Sequence, residues 1–171
     1  MKITNRRRVF DGHFKVNELT VETTAGEELK RERFDPGHAV AALVFDTVKQ
    51  QYILTRQFRI GPEADLLEIA AGMIDRNDTP EASIRRELHE ELGYEVDSLT
   101  PIVTMWSSPG VSGESIAVYY AKVSLQTGAG GGLAEENEQI EAVYFTREEL
   151  IAAPLQDAKT LLAVQWMQLH R

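Results

Sequence analysis

The sequence predicts an α/β domain preceded by a small N-terminal antiparallel β appendage. Three observations carry this reading. Apolar, strand-like runs stand on both sides of one long amphipathic helical segment. The first part of the chain instead alternates apolar and polar residues, as half-exposed strands do. The two styles meet at "DPG", Asp35 to Gly37, which sets a boundary between an appendage over 1–36 and a main domain over 37–171. At 171 residues and 43% hydrophobic composition, the chain can bury one core plus such an appendage.

"FKVNELTVE" (14–22) reads as a strand, "TTAGEE" as a turn and "LKRERF" as the return strand. Past the boundary, "HAVAALVFD" is a buried strand with "QYILTRQFR" as its hairpin partner, and "ADLLEIAAG" is a short strand running into Gly72. A polar turn opens a helix, with Thr79 as N-cap before Pro80, or Asp78 and Glu81 as a capping box. Gly93 ends it. "TPIVTMW" and "ESIAVYYAKVSL" are further strands around "SSPGVSG". "GAGGG" (128–132) reads as a flexible stretch before the acidic "LAEENEQIE". Strand "EAVYF", short helix "REELIAA" and amphipathic helix "DAKTLLAVQWMQLH" close the chain, the last supplying intrachain core.

No apolar run is long enough to span a bilayer, and "MKITNRRRVF" lacks a signal-peptide core. The chain has no cysteine, which removes disulfides, thiolate metal sites and a thiol nucleophile, and fits a reducing cytoplasm. A net charge of −9 argues against a nucleic-acid binder. It does not argue against a small phosphate-bearing substrate, provided divalent cations stand between the two sets of negative charge.

The chemistry concentrates in "AGMIDRNDTPEASIRRELHEELGY", Ala71 to Tyr94. Ile84, Leu88 and Leu92 form a buried stripe at four-residue spacing. Glu87, Glu91 and Glu95 make a parallel acidic row beside Glu90, with Arg86 placed to pair with Glu90. Like charges at this spacing cost about 0.2–0.5 kcal/mol per pair on an isolated helix. Spacing alone leaves two readings, a solvated acidic face or a cation site. Two neighbours favour the cation. Gly72 and its turn bring backbone carbonyls near the helix, and oxygen donors suit Mg²⁺. The glycine-rich stretch can carry Glu135, Glu136 and Glu138 toward the same place, giving fixed ligands on a helix and a base on a loop.

This segment resembles the Nudix box, G-x5-E-x7-R-E-U-x-E-E-x-G-U, with U bulky and apolar or aromatic. Gly72, Arg86-Glu87-Leu88, Glu90-Glu91 and Gly93-Tyr94 match, while Asp78 stands where the family has Glu. In the family that residue braces the loop–helix–loop, so the departure bears on local rigidity. The resemblance implies the Nudix fold, a mixed β-sheet sandwiched by helices, and cleavage of nucleoside diphosphates linked to a second moiety.

"GHAVAALVFD", "TRQFRI", "LLEIAAGMI", "SSPG", "GLAEENEQI" and "QWMQLH" are each similar to segments of ADP-ribose pyrophosphatases. Pro109, fifteen residues beyond Tyr94, lies where that subfamily carries proline, but GDP-mannose pyrophosphatases share much of the pattern, and "DAKTLL" leans toward them. The expected reaction is hydrolysis of ADP-ribose to AMP and ribose 5-phosphate, with a broader nucleoside-diphosphate-sugar pyrophosphatase as the alternative.

Carried over, the resemblance makes Glu87, Glu91 and the Ala71 carbonyl ligands to Mg²⁺, with Mn²⁺ left open. Glu90 is a further ligand or a supporting catalytic carboxylate beside Arg86, and Glu138 another carboxylate linked to the metal. Glu136 is the expected general base, taking a proton from the attacking water. Arg59 is expected to contact the substrate phosphates, Glu68 and Pro109 to bind the substrate, and Arg31 and His13 lie where relatives clamp the base. The resemblance also implies a homodimer that exchanges its N-terminal strands, a small appendage having little burial of its own.

Rival classes fare worse. A non-catalytic ligand-sensing module of the same fold would normally lose box carboxylates, an RNA cap hydrolase would be more basic, and isoprenoid isomerases need a cysteine.

Overall fold

The computed structural model describes residues 1–132 and 139–170. The strands are β1 (Lys2–Asp11), β2 (Lys15–Glu22), β3 (Glu28–Phe34), β4 (His38–Asp46), β5 (Gln51–Arg59), β6 (Ala64–Glu68), β7 (Ala70–Met73), β8 (Tyr94–Trp106), β9 (Ser115–Gln126) and β10 (Glu141–Phe145). The helices are α1 (Pro80–Leu92), α2 (Arg147–Ala152) and α3 (Ala158–Leu169). The chain divides into two compact units, Met1–His38 with Met105–Ile116, and Ala39–Thr104 with Ala117–Arg171.

The first unit is built on a three-stranded antiparallel sheet, β1-β2-β3. β1 was not foreseen as a strand. Its sequence, KITNRRRVFD, has no period-two signal, and all ten residues are exposed, so it is held by pairing with β2 rather than by burial. The loop carrying Pro109 is fixed within this unit: Phe34 N donates to Val111 O at 2.8 Å and Gly113 N to Phe34 O at 2.8 Å.

The second unit holds the large sheet, ordered β10-β5-β4-β9-β8. β4 and β5 pair as a hairpin only at their joined ends, Val44–Asp46 against Gln51–Ile53. Beyond that they part, and the stretch 64–73 fills the gap. Its first half, β6, pairs with β5, and its second half, β7, pairs with β4. The single strand expected here is thus two strands serving two neighbours.

α1 begins where its sequence says it should. The Thr79 hydroxyl accepts from Ala82 N, Pro80 opens the helix, and Gly93, at φ 74°, closes it. Ile84, Leu88 and Leu92 are buried in a cluster with Val40, Val44, Ala70 and Tyr94. Each such aliphatic side chain contributes roughly 1.5–3 kcal/mol on burial. α3 buries Ala163, Val164 and Met167, but the same face takes in Lys159 and Thr160 while Leu161 and Leu169 are exposed, so it is not sorted into the apolar and polar faces expected of it.

Candidate active site

Gly72 lies in β7 opposite Val40 of β4, so its backbone is held by the sheet ladder. The Glu87 side chain of α1 occupies the space above it. A Cβ on Gly72 would overlap the carboxylate carbon and both oxygens of Glu87. Only glycine therefore lets the helix bring that carboxylate against the strand.

Arg86 binds the acidic face together. One guanidinium nitrogen, Nη1, reaches Glu87 Oε1 and Glu90 Oε2, both at 2.9 Å. The other, Nη2, approaches Asp75 Oδ2 at 3.3 Å and donates to the Met73 carbonyl at 3.3 Å. Burial alone would lower the Arg86 pKa, but Glu87 and Glu90 outweigh it and hold the guanidinium firmly charged. Sequence spacing revealed only the pairing with Glu90.

Arg59, near the end of β5, donates through Nε and Nη2 to the two oxygens of Glu68, at 2.7 and 2.9 Å. Glu68 is only 3% exposed and also accepts from Lys159 Nζ. Lys159 in turn lies 3.1 Å from Asp157, the N-cap of α3. The Arg59 pKa is raised, first by its hydrogen bonds to Glu68, with the Glu91 carboxylate contributing as well. Burial pushes Glu68 upward, yet its bonds from Arg59 and Lys159 win and hold its pKa below the ordinary value.

Lys159 and Thr160 were missed by the sequence reading. The signal was present: a lysine at position 159 falls on the same stripe as Ala163 and Met167, and a cation there needs a buried counter-charge.

Of the other expected site residues, Ala71 is half-buried in β7 opposite Ala41, and Glu91 is 5% exposed. Asp78 N closes the turn onto Asp75 O at 3.0 Å. Arg31, His13 and Pro109 belong to the first unit and are exposed. Arg31 donates to its neighbour Lys30 O, and His13 meets Phe14 edge-on at 4.7 Å. Glu136 and Glu138 lie outside the described residues.

Among the described residues no three acidic or histidine side chains already converge as a metal cluster, and Arg86 stands between Glu87 and Glu90. The donor set nevertheless suits a hard divalent cation. Carboxylate oxygens at Glu87, Glu90 and Glu91 line up on one helix, and the bare Cα of Gly72 leaves room for Glu87.

The sequence profile of the NUDIX domain matches residues 35–167. The ADP-ribose pyrophosphatase of Escherichia coli strain K12 is 33% identical over 175 residues, covering 96% of this chain and 78% of that protein. The GDP-mannose pyrophosphatase of the same strain is 34% identical over 172 residues, covering 92% and 90%. The crystal structure of an ADP compounds hydrolase shares the fold, with a TM-score of 0.81 at 22% identity over 98% of this chain and 91% of that one.

Proposed function

The chain belongs to the NUDIX domain family, and from that premise we propose that it is a pyrophosphatase that hydrolyses nucleoside diphosphate sugars. ADP-ribose is the substrate we favour: ADP-ribose and water give AMP and ribose 5-phosphate. The observation that carries this reading is the combination of a carboxylate helix with a half-buried arginine, Arg59, clamped on the buried Glu68 carboxylate.

In this reading Glu87, Glu91 and the Ala71 carbonyl hold Mg²⁺, with Glu90 supporting them. A divalent cation there neutralises pyrophosphate charge and acidifies a water. Arg86, bonded to Glu90 and paired with Glu87, would orient the carboxylates that hold the cation. Arg59 neutralises charge developing on the phosphates, and Glu68 and Lys159 hold it in place. Glu68 acts on the substrate through Arg59, since its own oxygens are engaged. Glu136 would take the proton from the attacking water, with Glu138 as a further carboxylate. Arg31, His13 and Pro109 would contact the base and the sugar.

We assign the chain as a homodimer exchanging its N-terminal strands. The exposure of β1 along its length, including the apolar Ile3, Val9 and Phe10, supports this, and sedimentation would test it. The absence of cysteine supports a cytoplasmic setting.

The second reading is a GDP-mannose pyrophosphatase. It is favoured by the "DAKT" turn of α3, whose lysine completes the Arg59 clamp. Product chromatography after incubation with Mg²⁺ and ADP-ribose, GDP-mannose, UDP-glucose, a dinucleoside polyphosphate or a nucleoside triphosphate decides. AMP from ADP-ribose alone supports the first reading, and comparable cleavage of GDP-mannose the second. Cleavage of none refutes both and leaves a ligand sensor.

A further inference from the structure

An α-helix ends in four carbonyls that lack an intrahelical donor. The last helical bond of α1 runs from Gly93 N to His89 O at 2.9 Å, so the open carbonyls belong to Glu90, Glu91, Leu92 and Gly93, and each is met. Gly132 N donates to Glu90 O at 3.2 Å and Gly131 N to Glu91 O at 2.8 Å. The side-chain amide of Gln126 donates to Leu92 O at 3.2 Å. The Gly93 carbonyl takes two donors, Thr127 N at 2.8 Å and Gly128 N at 3.0 Å. The stretch expected to be a flexible tether is therefore laid along the end of the carboxylate helix.

The fit needs glycine. A Cβ on Gly130 would stand 2.6 Å from the Glu91 carbonyl oxygen and 2.9 Å from Leu92 Cα, and its φ is +66°. The donors also meet an electrostatic need. The carbonyl end of a helix is its negative end, and Glu90 and Glu91 add two carboxylates there.

We propose that Gly130 and Gly131 are positioning residues for the cation site. Their segment fixes the backbone of Glu90 and Glu91, and with it the position from which those carboxylates would reach a divalent cation. The inference rests on the pyrophosphatase reading above. It differs from that reading in naming residues that touch neither cation nor substrate.

The test is Mn²⁺ binding to the full chain, read from the free-ion signal in electron paramagnetic resonance, beside metal-free thermal denaturation. Gly130→Ala is compared with Gly26→Ala. Gly26 has a similar left-handed φ of +83° in the turn between β2 and β3, but an added Cβ there meets nothing within 4 Å. Both variants are expected to lose thermal stability. Only Gly130→Ala should weaken Mn²⁺ binding, by about 10-fold or more, as loss of a supporting contact does at metal sites. Gln126→Ala, which removes only the donor to Leu92 O, should weaken binding in the same direction by less. It carries the test if Gly130→Ala does not fold.

Mn²⁺ affinity for Gly130→Ala equal to that of Gly26→Ala would overturn the proposal. So would unchanged affinity in Gln126→Ala where Gly130→Ala fails to fold. Wild-type protein that binds no Mn²⁺ and cleaves no substrate would instead overturn the pyrophosphatase reading itself.

Discussion

Glu68 and Arg59 form a two-pronged ion pair in which both carboxylate oxygens are engaged and the carboxylate is almost wholly shielded from water. Lys159 supports the far side, so one buried negative charge stands between two positive ones. Removing it leaves two cations facing each other. Glu68→Gln is expected to cost roughly 3–5 kcal/mol of stability, the usual penalty for breaking a buried pair from one side. It should also lower kcat/KM by about 10- to 100-fold, as Arg59 loses its orientation. Urea denaturation and steady-state kinetics measure the two effects separately.

The same carboxylate predicts a dependence on acid. Its folded pKa lies below the ordinary 4.5, because bonds from Arg59 and Lys159 outweigh burial. A depressed folded value means that the stabilisation is complete above the unfolded pKa and is lost as pH falls through the folded one. The stability gap between wild type and Glu68→Gln should therefore be constant at neutral pH, begin to close just below 4.5, and shrink further with acid. Denaturation curves collected between neutrality and strong acid check this.

Gly72→Ala tests the approach of α1 to β7. The added methyl has nowhere to go except into the Glu87 carboxylate. The overlap is with the end of a flexible side chain that can swing aside, so the stability loss should stay within about 1 kcal/mol. Turnover should fall by at least about 100-fold, because a small displacement of a catalytic group is enough for that. Circular dichroism should report a folded protein throughout.

Thr160→Val probes a buried polar bond. The fully buried Thr160 hydroxyl accepts from Ile69 N at 2.8 Å and donates to Asp157. Valine keeps the shape and strands the Ile69 N–H, at a cost of about 1–3 kcal/mol. Thr160→Ser keeps the hydroxyl and should lose much less. Thermal melts of the pair distinguish the polar loss from a packing loss.

Where the sequence was legible, one physical signal dominated. The stripe Ile84, Leu88, Leu92 and the caps Thr79 and Gly93 located α1, since helix period and end chemistry are local. The β4–β5 hairpin was legible for the same reason. What stayed hidden was set by distant partners. β1 shows no pattern because none of its side chains is buried. The glycine run reads as a spacer until the carbonyls it caps, about forty positions away, are known. Lys159 finds Glu68 across 91 positions, a pairing that no window of sequence displays. The acidic loop residues Glu136 and Glu138 remain expectations from the family pattern.

The division of the stretch 64–73 has a wider consequence. Glu68 is paired opposite Thr55 and Ala70 opposite Ala42, leaving Ile69 alone between two ladders, its N–H taken by Thr160. That one residue is the hinge pin of a ruler. On one side, backbone pairing counts off the distance to Arg59, and on the other it counts off the distance to Gly72 and the carboxylate helix. The span between the arginine and the acids is thus graduated in whole residues and cannot be trimmed by side-chain reach. Inserting or deleting one residue at Ile69 would turn alternate side chains over and exchange inside for outside.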